Sequence, residues 1–264
     1  MGCSIPTNPQ SPNISPQAEA IVFFNDMENP PVGVYTIRQF LTDWNGSPWE
    51  LGIANGHVDI VEGPEAYRGK SLRVLYLKDK ANYGKSGASW LIPLKKTYEE
   101  IYCAYRIKFA PDFDFAQGGK LPGLIGGAGN TSGHKPTGSD GWSARMIWTE
   151  KGNIAQHVYH PDQSDFYGDV FPWHSPFAPN TWHQVEHRIV MNTPSQNNGI
   201  LQTWLDGILA LDIHTLRYRD VDTLGIDTFY FTTFFGDDGP SLGPSKNETI
   251  TFDNLMIATA PITH

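Results

Sequence analysis

Three short stretches of the chain hold side chains that could do chemistry together. "QGGKLPGLIGG", Gln117 to Gly127, has one charge, Lys120, among five glycines, a proline and aliphatic residues. Glycine stands where φ must be positive or where something approaches the backbone closely. The segment therefore reads as a loop presenting a single cation. In "GWSARMIW", Ser143 and Arg145 are two residues apart and share one face of a strand, while Trp142, Ala144, Met146 and Trp148 take the apolar face. In "NIAQHVYH" the same parity sets His157 and Tyr159 beside the small Ala155, away from Ile154, Gln156 and Val158. Two residues along a strand span about 6.6 Å. That separation suits two titratable groups serving two atoms of one sugar junction.

Together these residues suit β-elimination next to a carboxylate. A uronic acid eliminates when its C6 carboxylate is neutralised, so that the C5 proton becomes acidic, a base removes that proton, and an acid protonates the leaving O4. Neither a carboxylate pair nor a metal is required. Lys120 and Arg145, with Gln117 and Ser143 as hydrogen-bonding groups, fit the first task. His157 and Tyr159 fit the other two, in either order. If His157 is the base, activity should rise with pH through the imidazole range, near 6.5. Arg106 and Lys108 alternate onto the non-core face of "IYCAYRIKF" and would extend the row of cations.

Strands must position these groups, and strands dominate the pattern. Some thirteen short alternating segments, among them "AIVFF", "GVYTIRQF", "EIYCAYRIKF", "TWHQVEHRIVM", "IDTFYFTTFF" and "TITFDNLMIA", are separated by turn residues. Almost no helical periodicity is present. This predicts an all-β sandwich. Asp206-Gly207, between "GILQTWL" and "ILALDI", predicts a two-residue hairpin turn. Residues 1–20 read as a flexible, Pro-rich tail and 21–264 as a single domain. Cys103 falls on the apolar face of its strand with Ile101, Tyr105 and Ile107.

Composition narrows the partners. The 264 residues carry 19 Lys plus Arg against 28 Asp plus Glu, a net charge of −9. That argues against nucleic acid but not against a locally basic site. No run approaches the roughly 18 apolar residues of a membrane span. Two cysteines make no disulfide framework. Twenty-six glycines, 20 prolines, 8 tryptophans and 11 tyrosines suit a β protein that handles carbohydrate.

Two competing chemistries fail on geometry. "HQVEH", His183 to His187, matches an inverted zinc-protease motif. That motif needs a helix, whereas the alternation here is that of a strand. Residues four apart on a strand are about 13 Å apart, too far to share one zinc. Glycoside hydrolysis with retention needs two carboxyls about 5 Å apart on one face, and no segment offers such a pair.

The "W-x-DG" hairpin, with "TFDNLMIA" as the last strand, resembles the jelly-roll sandwiches of the concanavalin A-like superfamily, which often bind polysaccharides on a curved sheet that forms a cleft. The combination "GGKLPGLIGG", "GWSARMIW" and "HVYH", in that order and spacing, resembles polysaccharide lyase family 14, whose members cleave alginate or glucuronan. The related family 20, the fungal glucuronan lyases, stands second. The resemblance covers roughly residues 100 to 257. It implies a secreted or cell-surface lyase for an acidic polysaccharide, monomeric, with no required cofactor. The family's lysine falls on Lys120, its serine and arginine on Ser143 and Arg145, and its paired tyrosines on His157 and Tyr159, so the first tyrosine is replaced by histidine. The alternatives are a non-catalytic carbohydrate-binding module of the same fold and, further back for want of a carboxylate pair, a glycoside hydrolase. A structural calcium could sit between Asp26, Glu28 and Asp253. Cys3, in "MGCSIPTNPQ", resembles the lipid-bearing cysteine of a bacterial lipoprotein.

Overall fold

The alternating apolar residues pair into two antiparallel sheets laid face to face. The computed structural model describes residues 20–82, 84–129, 133–164, 166–236 and 242–262. In chain order the elements are β1 (Ile21–Asn25), β2 (Gly33–Val34), α1 (Ile37–Asp43), β3 (Glu50–Leu51), β4 (Val58–Glu62), β5 (Lys70–Tyr76), β6 (Ala88–Tyr98), β7 (Glu100–Phe109) and β8 (Gly118–Gly127). They continue with β9 (Gly141–Thr149), β10 (Asn153–Tyr159), β11 (Asp169–Pro176), β12 (His183–Val190), β13 (Gly199–Leu205), β14 (Ile208–Leu216), β15 (Ile226–Phe235) and β16 (Glu248–Ala258). The nine-stranded sheet runs β14-β13-β12-β7-β16-β5-β4-β2, with β1 also on β16. The seven-stranded sheet runs β11-β10-β9-β8-β15-β6-β3. This is the all-β jelly-roll sandwich expected from the sequence.

One core fills the space between the sheets. The seven-stranded sheet contributes Trp142, Ala144, Met146 and Trp148 from β9 and Phe229, Phe231 and Phe235 from β15; β7 answers with Ile101, Cys103, Tyr105 and Ile107. Trp90 stacks on Phe231, centroids 4.1 Å apart. At the β13–β14 hairpin Asp206 and Gly207 both have positive φ, 52° and 80°, as the tight turn requires.

Two local expectations are corrected, and one further strand appears. "GVYTIRQF" is not one strand. Only Gly33 and Val34 pair, and Thr36 caps α1 with a reciprocal bond to Gln39. The glycine-rich segment is not a loop but β8, between β9 and β15. A Cβ on Gly119 would lie 2.1 Å from the Trp148 indole, and one on Gly126 would lie 1.9 Å from the Gly225 carbonyl. The space opened by these glycines is taken by the protein itself. Finally, Asp169–Pro176 is a strand despite Pro172 and Pro176, because β11 ends its sheet and a missing N–H there breaks no inner ladder bond.

"HQVEH" is a strand, as its alternation indicated. His183 donates from Nδ1 to Asp206 Oδ2 at 2.8 Å and accepts from the Ala178 N–H at 3.0 Å. His187 is buried in the sandwich, opposite Cys103 on one side and Thr203 on the other. Neither of its ring nitrogens has a hydrogen-bond partner among the described residues, and burial lowers its pKa to about 4.

Two predictions follow from this packing. Gly119→Ala should cost about 2–3 kcal/mol, because a rigid indole must move; equilibrium denaturation against wild type reads it. The unfolded chain holds a proton on His187 up to pH 6.5, whereas the folded chain refuses it down to about 4. Stability should therefore fall as pH drops through that window, by up to about 3 kcal/mol from this residue. His187→Leu should flatten the slope of urea midpoint against pH. An unchanged slope would remove His187 as its source.

Candidate active site

Strand order and register bring the main candidates onto one face. On β9 and β10, His157 lies directly opposite Arg145, and Tyr159 directly opposite Ser143. On the other side of β9, β8 sets Gly123 opposite Arg145 and Lys120 opposite Ile147. Cα atoms of opposed residues lie about 4.5–5.5 Å apart. The inner residues of β9 are in the core, so Ser143, Arg145, His157, Tyr159 and Lys120 project from the outer face of the seven-stranded sheet.

A bulge tunes this arrangement. The β8–β9 register shifts between Lys120 and Gly123, and both Leu121 and Leu124 reach the core. Pro122 and Gly123 absorb the extra residue, and the Tyr105 hydroxyl donates to the Pro122 carbonyl at 3.3 Å. Lys120 thereby sits one row along the sheet from Arg145 rather than directly beside it. Two cations staggered in this way can grip one carboxylate from two directions.

The face is largely covered. Arg145 is 3% exposed, His157 6% and Tyr159 3%; Lys120 is half-buried. The cover comes from residues 160–164 and 166–168, between β10 and β11. His157 Nε2 meets the Tyr167 carbonyl at 2.5 Å. Because a carbonyl only accepts, Nε2 carries the proton and the lone pair is left on Nδ1. Nδ1 is sealed from solvent and has no partner among the described residues. Gly168, at φ 78°, lies on both rings: a Cβ there would be 2.9 Å from His157 Nε2 and 3.0 Å from Tyr159 Cδ2. His160 Nε2 meets Asp169 Oδ2 at 2.9 Å, and the Ser164 hydroxyl donates to Asp169 Oδ1 at 3.0 Å, closing the segment at its base. Phe166 and Tyr167, 64% and 70% exposed, stand at its tip.

Charge and burial act together on His157. Burial, then Lys120, then Arg145 lower its pKa to about 3. The imidazole is thus neutral at any working pH, and the expected rise of activity through the imidazole range has no source here. The shift also reports that both cations act on this ring. Its centroid is 5.1 Å from that of Tyr159.

Other candidates lie elsewhere. Gln117 is exposed in the turn leading into β8. Arg106 and Lys108 sit on β7, on the outer face of the nine-stranded sheet, and do not extend the row of cations. Alternation told which residues face outward but not from which sheet. Among the described residues no three His, Cys, Asp or Glu side chains, Asp26, Glu28 and Asp253 included, are gathered to hold a metal. Asp253 instead accepts from the Ser71 hydroxyl at 2.5 Å and the Asn254 N–H at 2.6 Å. Burial, with Glu28 adding, pushes its pKa up to about 6.

Two participants escaped the sequence reading. Tyr230 on β15 lies under the Arg145 guanidinium, 5.7 Å from its ring centroid. The alternation of "IDTFYFTTFF" places it opposite in facing to Phe229 and Phe231, which would have found it. The Tyr167 carbonyl, a backbone group, left no signal.

The His157 geometry makes a direct prediction. By NMR titration its ring should stay neutral down to about pH 4. In Lys120→Ala the midpoint should move upward, because one repelling cation is gone. An unchanged midpoint would separate Lys120 from this ring.

Comparison with known proteins agrees with the geometry. No curated protein sequence matches the chain. Among solved structures, the alginate lyase Aly36B superposes with a TM-score of 0.78 at 25% identity, over 92% of this chain and 98% of that one. The marine PL-14 alginate lyase from Aplysia kurodai gives 0.78 at 20% identity, over 91% and 99%. The endo-β-1,4-glucuronan lyase of the fungus Trichoderma reesei gives 0.61 at 16% identity, over 91% and 96%. These last two likenesses speak to the fold alone. The sequence model of Polysaccharide lyase 14 matches residues 65–255, which include Lys120, Ser143, Arg145, His157 and Tyr159. With well over half its length matched, the chain belongs to polysaccharide lyase family 14.

Proposed function

We propose that this protein, a lyase of uronic-acid polymers, works on the outer face of its seven-stranded sheet, with Tyr159 as both base and acid. The observation that carries the assignment is the state of His157. One ring nitrogen is bound to the Tyr167 carbonyl and the other is sealed from solvent. Neither can reach a C5 proton, whereas Tyr159 is the adjacent group that can both accept and donate.

The steps balance without a cofactor. Lys120 and Arg145 bind the C6 carboxylate and stabilise the charge that develops when C5 loses its proton. To act as the base the Tyr159 oxygen must take that proton as a phenolate, the form that nearby positive charge favours. The C5–H electrons become the C4=C5 double bond, the C4–O4 bond breaks, and Tyr159 returns the proton to O4. Ser143, opposite Tyr159, hydrogen-bonds the sugar. His157 stays neutral, bound to the Tyr167 carbonyl beside Tyr159. Glucuronan and alginate are both polymers of the required class, and such large substrates imply secretion or attachment at the cell surface. Cys3, the expected anchor, lies outside the described residues.

The test is a panel of uronans, followed by the ultraviolet absorbance of the unsaturated product. Wild type should cleave at least one. Tyr159→Phe should lose about 10²–10⁴-fold in turnover, the usual worth of acid–base catalysis. Lys120→Ala should lose most turnover with the fold intact. His157→Phe should mainly raise KM. If Tyr159→Phe keeps near wild-type kcat while His157→Phe is dead, the two roles are reversed.

A further inference from the structure

The outer face of the nine-stranded sheet carries cations that the catalytic face does not use. Arg106 and Lys108 project from β7, and the segment before β5 brings Tyr67 and Arg68 against them. The Arg106 guanidinium lies 4.2 Å from the Tyr67 ring centroid and that of Arg68 lies 5.5 Å from it. Trp182 meets Tyr67 edge to face at 5.5 Å, and the Lys108 ammonium lies 5.1 Å from the Trp182 ring. The result is one connected patch of two rings and three cations.

How these cations are held sets them apart. Arg73, Arg188, Arg217 and Arg219 are each ion-paired to carboxylates. Among the described residues the guanidinium of neither Arg68 nor Arg106 has a carboxylate within 4.0 Å; an aromatic ring holds each instead. A ring fixes a guanidinium without cancelling its charge. In a chain of net charge −9 that leaves two guanidinium groups not cancelled by ion pairing. The same two arginines line a cavity of about 540 Å³ between β1, β7, β12 and β16, within the size range of ligand sites. Gln184 joins them there, and Asp26 and Glu28 stand in the wall contributed by the β1 side.

We infer that this face is a second, non-catalytic binding site for a stretch of the polyuronate chain, remote from the eliminating site. The inference rests on the polyuronate reading of the catalytic face. Arg68 and Arg106 take the sugar carboxylates, since guanidinium matches a carboxylate bidentately. Gln184 and the carboxylates of the opposite wall take sugar hydroxyls, and those same negative charges keep the uronate carboxylates on the arginine side. Such a site holds a long polymer while the other face cuts it, and is irrelevant to an oligomer too short to reach both.

The experiment compares Arg68→Ala/Arg106→Ala with wild type on the polymer that wild type cleaves and on the tetrasaccharide made from it. Polymer binding is also measured in a Lys120→Ala background, where cutting is slow against the time of the measurement. The inference expects KM on polymer to rise, and polymer affinity to fall, by about tenfold, the loss of one or two charge-assisted contacts. Kinetics on the tetrasaccharide and thermal midpoint should be unchanged. Unchanged polymer KM and affinity would overturn it. So would equal losses on polymer and tetrasaccharide, which would mean a change in the fold rather than a separate site. Wild type silent on every uronan would instead sink the reading of the catalytic face, so the two failures are distinguishable.

Discussion

Everything on the outer face of the seven-stranded sheet depends on how closely β8 lies against β9. The Trp148 indole occupies the place where Gly119 would carry a Cβ, and the Trp142 indole lies 2.5 Å from where Gly126 would carry one. Only glycine allows both contacts. These contacts set the register, and register decides chemistry: a slip of one residue would send Ser143 and Arg145 into the core and Trp142 and Trp148 into water. The large inner rings therefore fix the positions of outer groups they never touch. The bulge at Pro122–Gly123 then offsets Lys120 from Arg145 without disturbing either leucine beneath it.

The second organising term is electrostatic. An acidic protein that binds a polyanion must keep its cations from being neutralised by its own carboxylates. On the outer face of the seven-stranded sheet Lys120 and Arg145 are close enough to act on His157, a buried ring that stays uncharged beside them. A protonated imidazole there would add repulsion to a crowded positive site; burial prevents it. Tyr230 sits under Arg145 much as Tyr67 sits under Arg106, so rings support guanidinium groups on both outer faces.

How much of this was legible in the sequence follows from what alternation can encode. Parity on β9 and β10 placed Ser143, Arg145, His157 and Tyr159 correctly, because tryptophans and aliphatics marked the inner side without ambiguity. Parity also turned Arg106 and Lys108 outward correctly, but a two-fold period carries no information about which of two sheets a strand joins. The glycines of β8 hid a central strand, since glycine's weak strand preference is overridden here by close packing that depends on partners distant in sequence. The helix at Ile37–Asp43 was signalled by Thr36 and Gln39, a cap pattern masked by the apolar residues around it. The His157–Tyr167 contact is to a backbone carbonyl and so could not be read at all.

The prolines of β11 have a consequence beyond letting that strand end its sheet. Copies bound along one polymer chain would be at high local concentration, where bare sheet borders could meet. A border strand with free amides is a template for another chain to pair with. Pro172 and Pro176 remove donors from one border of the seven-stranded sheet, and the opposite border, β3, is only two residues long. The longer border of the other sheet, β14, carries Asp212 and His214, which are exposed. Crowding along a shared substrate thus meets borders ill-suited to strand exchange, and the molecules can work side by side without fusing into aggregates.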